Sequence, residues 1–276
     1  MKLSSINELE VDLLLEAILK RHGYDFGSYA RASVNRRVAL FQRQSGCDTV
    51  ADMIPRALHD ETFFEGLVRS FSITVTEMFR DPDVYRCLRQ EVIPFLRTHP
   101  YFKVWHAGCA TGEEVYSLAI VLKEEGLYPR ATVYATDYND DALDKAKEGV
   151  YALDKAKVFT KNYQNAAGTG SFSDYYHAQY GALKLDASLK ENITFANHNL
   201  VTDGVFSETH LVVCRNVLIY FDKDLQDRVL RLFSDSLAPG GFLCLGSKES
   251  LMFSDVRDDF EDVNREHRIF RKKMGV

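Results

Sequence analysis

Phe102-Lys-Val-Trp-His-Ala107, Gly108-Cys-Ala-Thr-Gly112 and Glu113-Glu-Val-Tyr-Ser-Leu-Ala-Ile-Val-Leu122 follow one another without a break. The first run is short, apolar and rich in strand formers. The second is a turn bounded by glycines. The third has helical spacing and predicts a helix to about Glu125. Strand, glycine turn and helix together form the opening unit of a doubly wound α/β sheet. The same rhythm continues outward. Thr132-Val-Tyr-Ala-Thr136 reads as a strand before a helix from Asn139 to Glu148. Ile193-Thr-Phe-Ala196 and Leu211-Val-Val-Cys214 read as strands, with a helix from Leu225 to Leu237 after the second. Gly241-Phe-Leu-Cys-Leu-Gly246 and His267-Arg-Ile-Phe-Arg271 complete the set. A parallel sheet with helices on both faces is expected. Residues 149 to 192 interrupt the rhythm with Gly168-Thr-Gly170, many tyrosines and no long helical pattern, and read as an inserted subdomain.

Before residue 100 the apolar spacing is helical. Ser5 and Glu8 form a capping-box pattern ahead of a helix with Ile6, Leu9, Leu13, Leu14, Ile18 and Leu19 on its apolar side, ending near Gly23. A second helix is predicted from Ser28 to Gln44, with Val34, Val38 and Phe41 inward. A third follows Thr49, using Met53, Ile54 and Leu58, and a fourth covers Glu61 to Phe71. Asp81-Pro82 reads as an N-cap followed by proline at the first helical position. The helix after it carries Val84, Tyr85, Leu88, Val92, Phe95 and Leu96.

Composition narrows the function classes. The 276 residues carry 34 Lys+Arg against 40 Asp+Glu, a net charge of −6, which disfavours generic nucleic-acid binding. No apolar run reaches the ~20 residues that cross a bilayer, so no membrane insertion is expected. Glu8, Glu10, Asp12 and Glu16 argue against an export signal. Cys47, Cys87, Cys109, Cys214 and Cys244 are odd in number and scattered, as expected of reduced thiols in a cytoplasmic protein. The eight histidines show no paired ligand spacing, so no metal site is expected.

Two ligand classes compete for the crevice at the carboxyl ends of such strands: dinucleotides and S-adenosylmethionine. The position of the middle glycine of the dinucleotide fingerprint is Ala110 here, and Glu113 and Glu114 open the helix. A pyrophosphate needs the bare positive end of that helix, whereas a ligand with a sulfonium and an ammonium suits carboxylates there. Asp137 ends the second strand, where a carboxylate can accept ribose hydroxyls in either class. Charge therefore favours S-adenosylmethionine.

Thr74-Val-Thr-Glu-Met-Phe-Arg80, His106-Ala-Gly-Cys-Ala-Thr-Gly-Glu-Glu-Val-Tyr-Ser117, Ala135-Thr-Asp137, Asn199-Leu200 and Cys214-Arg-Asn-Val-Leu-Ile-Tyr-Phe-Asp222 resemble the successive motifs of the CheR family, the chemotaxis receptor methyltransferases of bacteria. The resemblance covers nearly the whole chain. It implies a Rossmann-like class I methyltransferase sheet at residues 81–276, a helical domain at 1–80 and a small inserted β subdomain at about 149–192. It implies methyl transfer from S-adenosylmethionine, leaving S-adenosylhomocysteine, to glutamate side chains on the cytoplasmic helices of chemoreceptors. The family's cofactor contacts fall on Thr74, Thr76, Arg80, Gly108, Glu114, Asp137, Asn199, Leu200, Arg215 and Asn216. The position of Thr74 is often asparagine in that family, and no peptide-docking signature is matched in residues 149–192. A monomer is expected.

The chemistry explains why no catalytic triad is needed. A glutamate acceptor is already ionised at neutral pH, with a reference pKa of about 4.3. It requires alignment and removal of water rather than a general base. Arg80 and Tyr220 are the candidates for holding the acceptor, by chemistry and by family position. Arg31, Arg36, Arg37 and Arg43 lie on the second predicted helix. Such a cluster is ordinarily a solvated face, and alternatively a docking surface for acidic receptor helices. Methylation of another acceptor, or non-catalytic sensing of the cofactor or its product, are the competing functions. The motif typical of nucleic-acid amine methylation is replaced by Arg215-Asn-Val-Leu-Ile-Tyr220.

Overall fold

The computed structural model describes residues 6–71 and 76–275. The chain divides into two compact units, one made of residues up to 73 with Ile219–Gln226, the other of Thr74–Leu218 with Asp227–Val276.

The first unit is helical: α1 (Ile6–His22), α2 (Arg31–Ser45), α3 (Met53–His59) and α4 (Glu61–Phe71). Val34 and Val38 of α2, one turn apart, meet Phe63, Leu67 and Phe71 of α4 and Met53 of α3 in one core. The segment Ile219–Gln226 joins this unit through the backbone. Ala30 N–H donates to Tyr220 C=O at 2.8 Å, Asp222 N–H donates to Ser28 C=O at 3.0 Å, and the Tyr29 and Phe221 rings meet edge to face. Helix α1 departs from its expected face. Val11, Leu14, Leu15 and Ile18 are buried, while Ile6 is 78%, Leu9 53%, Leu13 46% and Leu19 43% exposed. The helix carries two apolar stripes. Val11, Leu14, Leu15 and Ile18 complete an i, i+3, i+4, i+7 set, and Ile6, Leu9 and Leu13 lie on the opposite side. Only the first can be covered by α3 and α2. Ser5 of the capping-box pattern lies outside the described residues.

The second unit contains a seven-stranded sheet. Its strands are β1 (Phe102–Ala107), β2 (Ala131–Asp137), β6 (Ile193–Asn197), β7 (Thr209–Cys214), β8 (Leu237–Leu245), β9 (Phe260–Asn264) and β10 (Ile269–Lys272). The order is β6-β2-β1-β7-β8-β10-β9. The first five run parallel, β10 is antiparallel to β8, and β9 is antiparallel to β10. Helix α7 (Glu113–Glu124) follows β1, α8 (Asp140–Glu148) follows β2, and α10 (Lys223–Ser236) follows β7. Trp105 is fully buried, donates from its indole N–H to Thr136 Oγ1 at 2.8 Å, and is met edge-on by Phe206 and Phe233. Helix α7 is buried along most of its length, so its sequence is apolar almost all round.

Three details differ from the sequence expectation. Strand β9 was not anticipated. Phe260-Glu-Asp-Val-Asn264 is mostly polar because it closes the sheet as an edge, and Asp262 pairs there with Arg257 and Arg265 at 2.9 Å. The inserted segment has its three-stranded antiparallel sheet, of β3 (Val150–Ala152), β5 (Ala182–Leu185) and β4 (Tyr176–Gln179), but also the ten-residue helix α9 (Ala156–Asn165). That helix buries only Phe159 and Tyr163, one turn apart, a weak signal in a polar run. The helix after Asp81 is broken into α5 (Pro82–Cys87), a π-turn at Leu88–Val92 and α6 (Ile93–Arg97). Pro94 has no N–H to give the preceding turn, and Ile93 N–H bonds Leu88 C=O instead.

The two stripes of α1 give a paired test. Leu14→Ala should destabilise the chain by about 2–5 kcal/mol, as for a buried leucine, and Leu13→Ala by less than about 0.5 kcal/mol. Urea denaturation of the two variants separates them. Equal losses would contradict the assignment of faces.

Candidate functional site

Strand order reverses at β1: β2 lies on one side and β7 on the other. A crevice forms at the carboxyl ends of strands at such a switch. Here it is bordered by the turn Gly108–Gly112 after β1 and by the turn that begins at Arg215 after β7.

The β1 turn is fastened to the end of β2. Gly108 and Cys109 N–H groups donate to Thr136 C=O at 2.8 and 2.9 Å, and Ala110 N–H donates to Asp137 Oδ2 at 2.9 Å. Asp137 Oδ1 accepts from Asn139 N–H at 3.0 Å. Ala110 sits at φ +48°, a left-handed conformation that costs a non-glycine residue about 1–3 kcal/mol and that the bond to Asp137 holds in place. Burial pushes the Asp137 carboxyl up, opposed by its backbone N–H donors. Ala110, Asn139 and Tyr138 supply those donors, and a carboxylate with about four lone-pair sites keeps some acceptor capacity. Tyr151 of the insert donates to Thr111 C=O at 2.8 Å and supports the turn from behind. Gly108 has φ +76°, and a Cβ there would lie 2.6 Å from Val217 Cγ2. Gly112 has φ +90°, and its Cβ would lie 2.9 Å from Ala146 Cβ. These glycines allow the two turns and α8 to approach.

Glu113 and Glu114 diverge, being successive residues on a helix. Glu113 is buried and accepts from Thr111 Oγ1 at 2.6 Å, with Lys155 Nζ at 3.8 Å. Burial raises its pKa. It does not join the other carboxylates of the crevice. Glu114, with its side chain 19% exposed, receives Arg215 Nη1 at 2.5 Å. Arg215 Nη2 reaches Asp81 Oδ2 at 2.6 Å, and Nη1 also donates to Arg80 C=O at 3.3 Å. The Arg215 side chain is only 2% exposed, and Glu114 holds its charge in place against the desolvation of burial. Asp81 occupies the expected N-cap position with Pro82 after it, but its side chain does not cap the helix. Asp81 stands at φ +54°, makes no capping bond, and spends its carboxylate on Arg215.

A carboxylate that sequence reasoning missed organises the other turn. Glu249, buried after β8, accepts four backbone N–H groups: Gly246 at 2.5 Å, Asn216 at 3.1 Å, Val217 at 2.8 Å and Leu218 at 2.8 Å. It holds Asn216 at φ +61°. Nothing in Gly246-Ser-Lys-Glu-Ser250 separates this glutamate from one in any polar surface turn.

The remaining residues fall as follows. Asn199 accepts Val201 N–H on its side-chain oxygen at 3.0 Å, and Leu200 beside it is buried. Thr76 is half-buried, and Thr74 lies outside the described residues. Arg80 is half-buried, and its guanidinium has no ion-pair partner among the described residues. Tyr220 belongs to the helical unit, as do the four arginines of α2. Arg31 pairs with Asp12 of α1, Arg37 is half-buried, and Arg36 and Arg43 are exposed. The structure thus gathers Arg80, Gly108, Glu114, Asp137, Arg215 and Asn216 at neighbouring strand ends of one unit.

The donor set fits a cationic adenosine ligand. Asp81, Glu114 and Asp137 present three carboxylates against the single buried guanidinium of Arg215, and Asp137 retains lone pairs for ribose hydroxyls. Among the described residues no group of three or more His, Cys, Asp or Glu could hold a metal ion. No helix there is long and apolar enough to cross a membrane. Burial keeps the thiols of Cys87, Cys109, Cys214 and Cys244 protonated.

Two outcomes follow from this geometry. Gly108→Ala combines backbone strain with overlap on Val217 and should cost about 2–5 kcal/mol. Adding Val217→Ala should recover only the overlap part, read by urea denaturation of both variants. Burial lowers the pKa of His106 from 6.5 to about 4. The unfolded chain takes up this proton near pH 6.5, and the folded chain only near pH 4. The associated stability is complete above pH 6.5 and is lost as the pH falls toward 4, on the order of 3 kcal/mol at most. His106→Asn should flatten that part of the stability profile between pH 7 and 4.5.

Comparison with known proteins agrees with this chemistry. Residues 74–269 match the CheR methyltransferase SAM-binding domain, and residues 9–72 match the CheR methyltransferase all-alpha domain. A Pseudomonas putida protein named as methyltransferase Cher3 is 53% identical over 265 residues, 96% of this chain and 97% of that one. The chemotaxis protein methyltransferase of Salmonella typhimurium is 28% identical over 256 residues, 90% of this chain and 85% of that one. An uncharacterized 104.1 kDa protein of Rhodobacter capsulatus is 33% identical over 258 residues, 90% of this chain and 26% of that one, so this chain spans about a quarter of its length. The domain matches take in both the helical segment and the sheet, and the chain belongs to the CheR methyltransferase family, with S-adenosylmethionine as its cofactor.

Proposed function

We propose that this protein methylates glutamate side chains on the cytoplasmic helices of chemoreceptors, forming glutamate methyl esters during sensory adaptation, and that it does so as a cytoplasmic monomer. The observation that carries the reading is the guanidinium of Arg80, which has no ion-pair partner among the described residues. Its backbone carbonyl is bonded to Arg215, the cation shared by Glu114 and Asp81, so the chain beside it is held while its side chain has no described ion-pair partner. A planar cation left unpaired at an acidic site suits a carboxylate acceptor. Relatives named chemotaxis protein methyltransferase support the same acceptor class.

When bound, S-adenosylmethionine supplies an electrophilic methyl carbon. Asp137 would accept its ribose hydroxyls and Glu114 and Asp81 would receive its cationic groups, with Thr76, Gly108, Asn199, Leu200, Arg215 and Asn216 as the further candidates to hold it and Thr74 a candidate by family position. Arg80 holds the acceptor carboxylate, and Tyr220 remains a candidate by family position. No proton is removed from an ionised acceptor, which agrees with a site whose buried histidine, His106, is held neutral and whose carboxylates are hydrogen-bonded. Carboxylate and sulfonium become neutral ester and thioether, so exclusion of water favours the reaction. Arg36 and Arg43, exposed on α2, with Arg37 beside them, attract acidic receptor helices, while Arg31 is partly neutralised by Asp12.

With tritiated cofactor and receptor-bearing membranes, label should enter receptor and be released as methanol by alkali. Alkali-stable label would point to N-methylation instead. Arg80→Ala should lower the transfer rate about 10²–10³-fold, the scale of a lost charge-assisted contact, while the unfolding midpoint stays within about 0.5 kcal/mol of the parent. Receptor methylation should slow as ionic strength rises, and Arg36→Glu with Arg43→Glu should abolish that dependence.

A further inference from the structure

A small cavity of about 10 Å³ adjoins the Arg215–Glu114 pair. Tyr85, His106, Glu114 and Arg215 line it together with apolar residues such as Val84 and Leu88. Its volume is close to the least that accommodates one water molecule. Three of its lining side chains are buried and carry polar atoms with no hydrogen bond: the Tyr85 hydroxyl, both ring nitrogens of His106, and Arg215 Nε. The hydroxyl of the neighbouring Ser117 accepts from Phe79 N–H and donates its proton to Glu113 C=O, so it has no proton to give the Tyr85 oxygen. Buried polar atoms are almost always satisfied, by protein or by ordered water. Four unsatisfied atoms on three residues around one water-sized space form a single unmet demand.

The protonation states give this demand a definite form. Burial keeps Tyr85 a neutral phenol and His106 a neutral imidazole, while Arg215 remains a cation. Arg215 Nε–H is a donor without an acceptor. A neutral imidazole offers one donor and one acceptor, and a phenol can serve as either. One water meets three of the four atoms by accepting from Arg215 Nε–H, donating to the acceptor ring nitrogen of His106, and bonding the Tyr85 hydroxyl with its remaining capacity; the second ring nitrogen of His106 stays outside this arrangement. The other edge of the guanidinium is already fixed, with Nη1 on Glu114 and Arg80 C=O and Nη2 on Asp81. Anchoring Nε locks the plane of the fork, and with it the direction in which Glu114 presents its carboxylate.

We propose that this cavity holds one structural water joining Arg215 Nε–H to His106 and Tyr85, and that His106 and Tyr85 act through it as positioning residues for the Arg215–Glu114 pair. The inference rests on the reading that Arg215 and Glu114 face the cofactor. Neither His106 nor Tyr85 touches substrate in this arrangement. Their effect reaches the ligand only through the orientation of the ion pair.

The test uses the full chain, S-adenosylhomocysteine as probe, and calorimetry. A high-resolution crystal structure should show one fully occupied water within hydrogen-bond reach of Arg215 Nε, and a dry cavity would overturn the proposal. His106→Leu should weaken S-adenosylhomocysteine binding about tenfold, and His106→Asn, which keeps a polar partner for the water, should stay within about threefold of the parent. Tyr85→Phe removes a single oxygen, leaves the packing intact, and should weaken binding about threefold. It keeps the proposal testable should His106→Leu fail to fold. Variants that lose stability yet bind the probe as tightly as the parent would make both residues merely structural and sink the idea. If the parent itself ignores S-adenosylhomocysteine, the reading of the crevice fails instead.

Discussion

One buried guanidinium ties together three pieces of chain that are far apart in sequence. Arg215 leaves the end of β7, bonds Glu114 in the first turn of α7, and bonds Asp81 in the turn before α5. A charge with 2% exposure cannot stand alone in such a place. Each carboxylate is therefore bound to its position by the same requirement. The backbone follows. Asp81 accepts a left-handed φ and gives up its helix-capping role, and Arg80 is brought beside the cluster through its own carbonyl. On the opposite side Glu249 applies a complementary constraint, an anion satisfied by four backbone N–H groups, which folds the chain just after Arg215 into its turn. A cation held by carboxylates and a carboxylate held by amides thus fix the four residues Arg215, Asn216, Val217 and Leu218.

The parallel core was legible in the sequence because burial on both faces demands continuous apolar runs. Phe102–Ala107 and Leu211–Cys214 have little freedom to be anything else. Elements at the margin were not legible, for the same reason inverted. Strand β9 needs no apolar alternation, and α9 needs only Phe159 and Tyr163. Helix α1 misled by surplus, since two apolar stripes stand on one helix and its own periodicity does not say which is covered. In the site, Asp137 was visible by type and position, and Arg215 only through the family resemblance. Glu249 was invisible, because its importance lies in the N–H groups it meets and not in its neighbours along the chain.

The reasoning from Glu113 and Glu114 also needs refinement in physical terms. Sequence adjacency suggested two equivalent anions at the mouth of α7. The helix turns ~100° between them, so one is buried against Thr111 and the other meets Arg215. What disfavours a pyrophosphate is then not a pair of bare glutamates. It is a set of three carboxylates: Asp81 and Glu114 share the inward cation Arg215, and Asp137 accepts backbone N–H groups. A polyanion would meet three carboxylates, an Arg215 guanidinium already paired with two of them, and a β1 turn whose Ala110 N–H is already given to Asp137. A ligand with a sulfonium, an ammonium and a ribose finds acceptors instead. The preference for a cation comes from carboxylates that outnumber the one guanidinium paired with them, and from a turn amide already spent on Asp137.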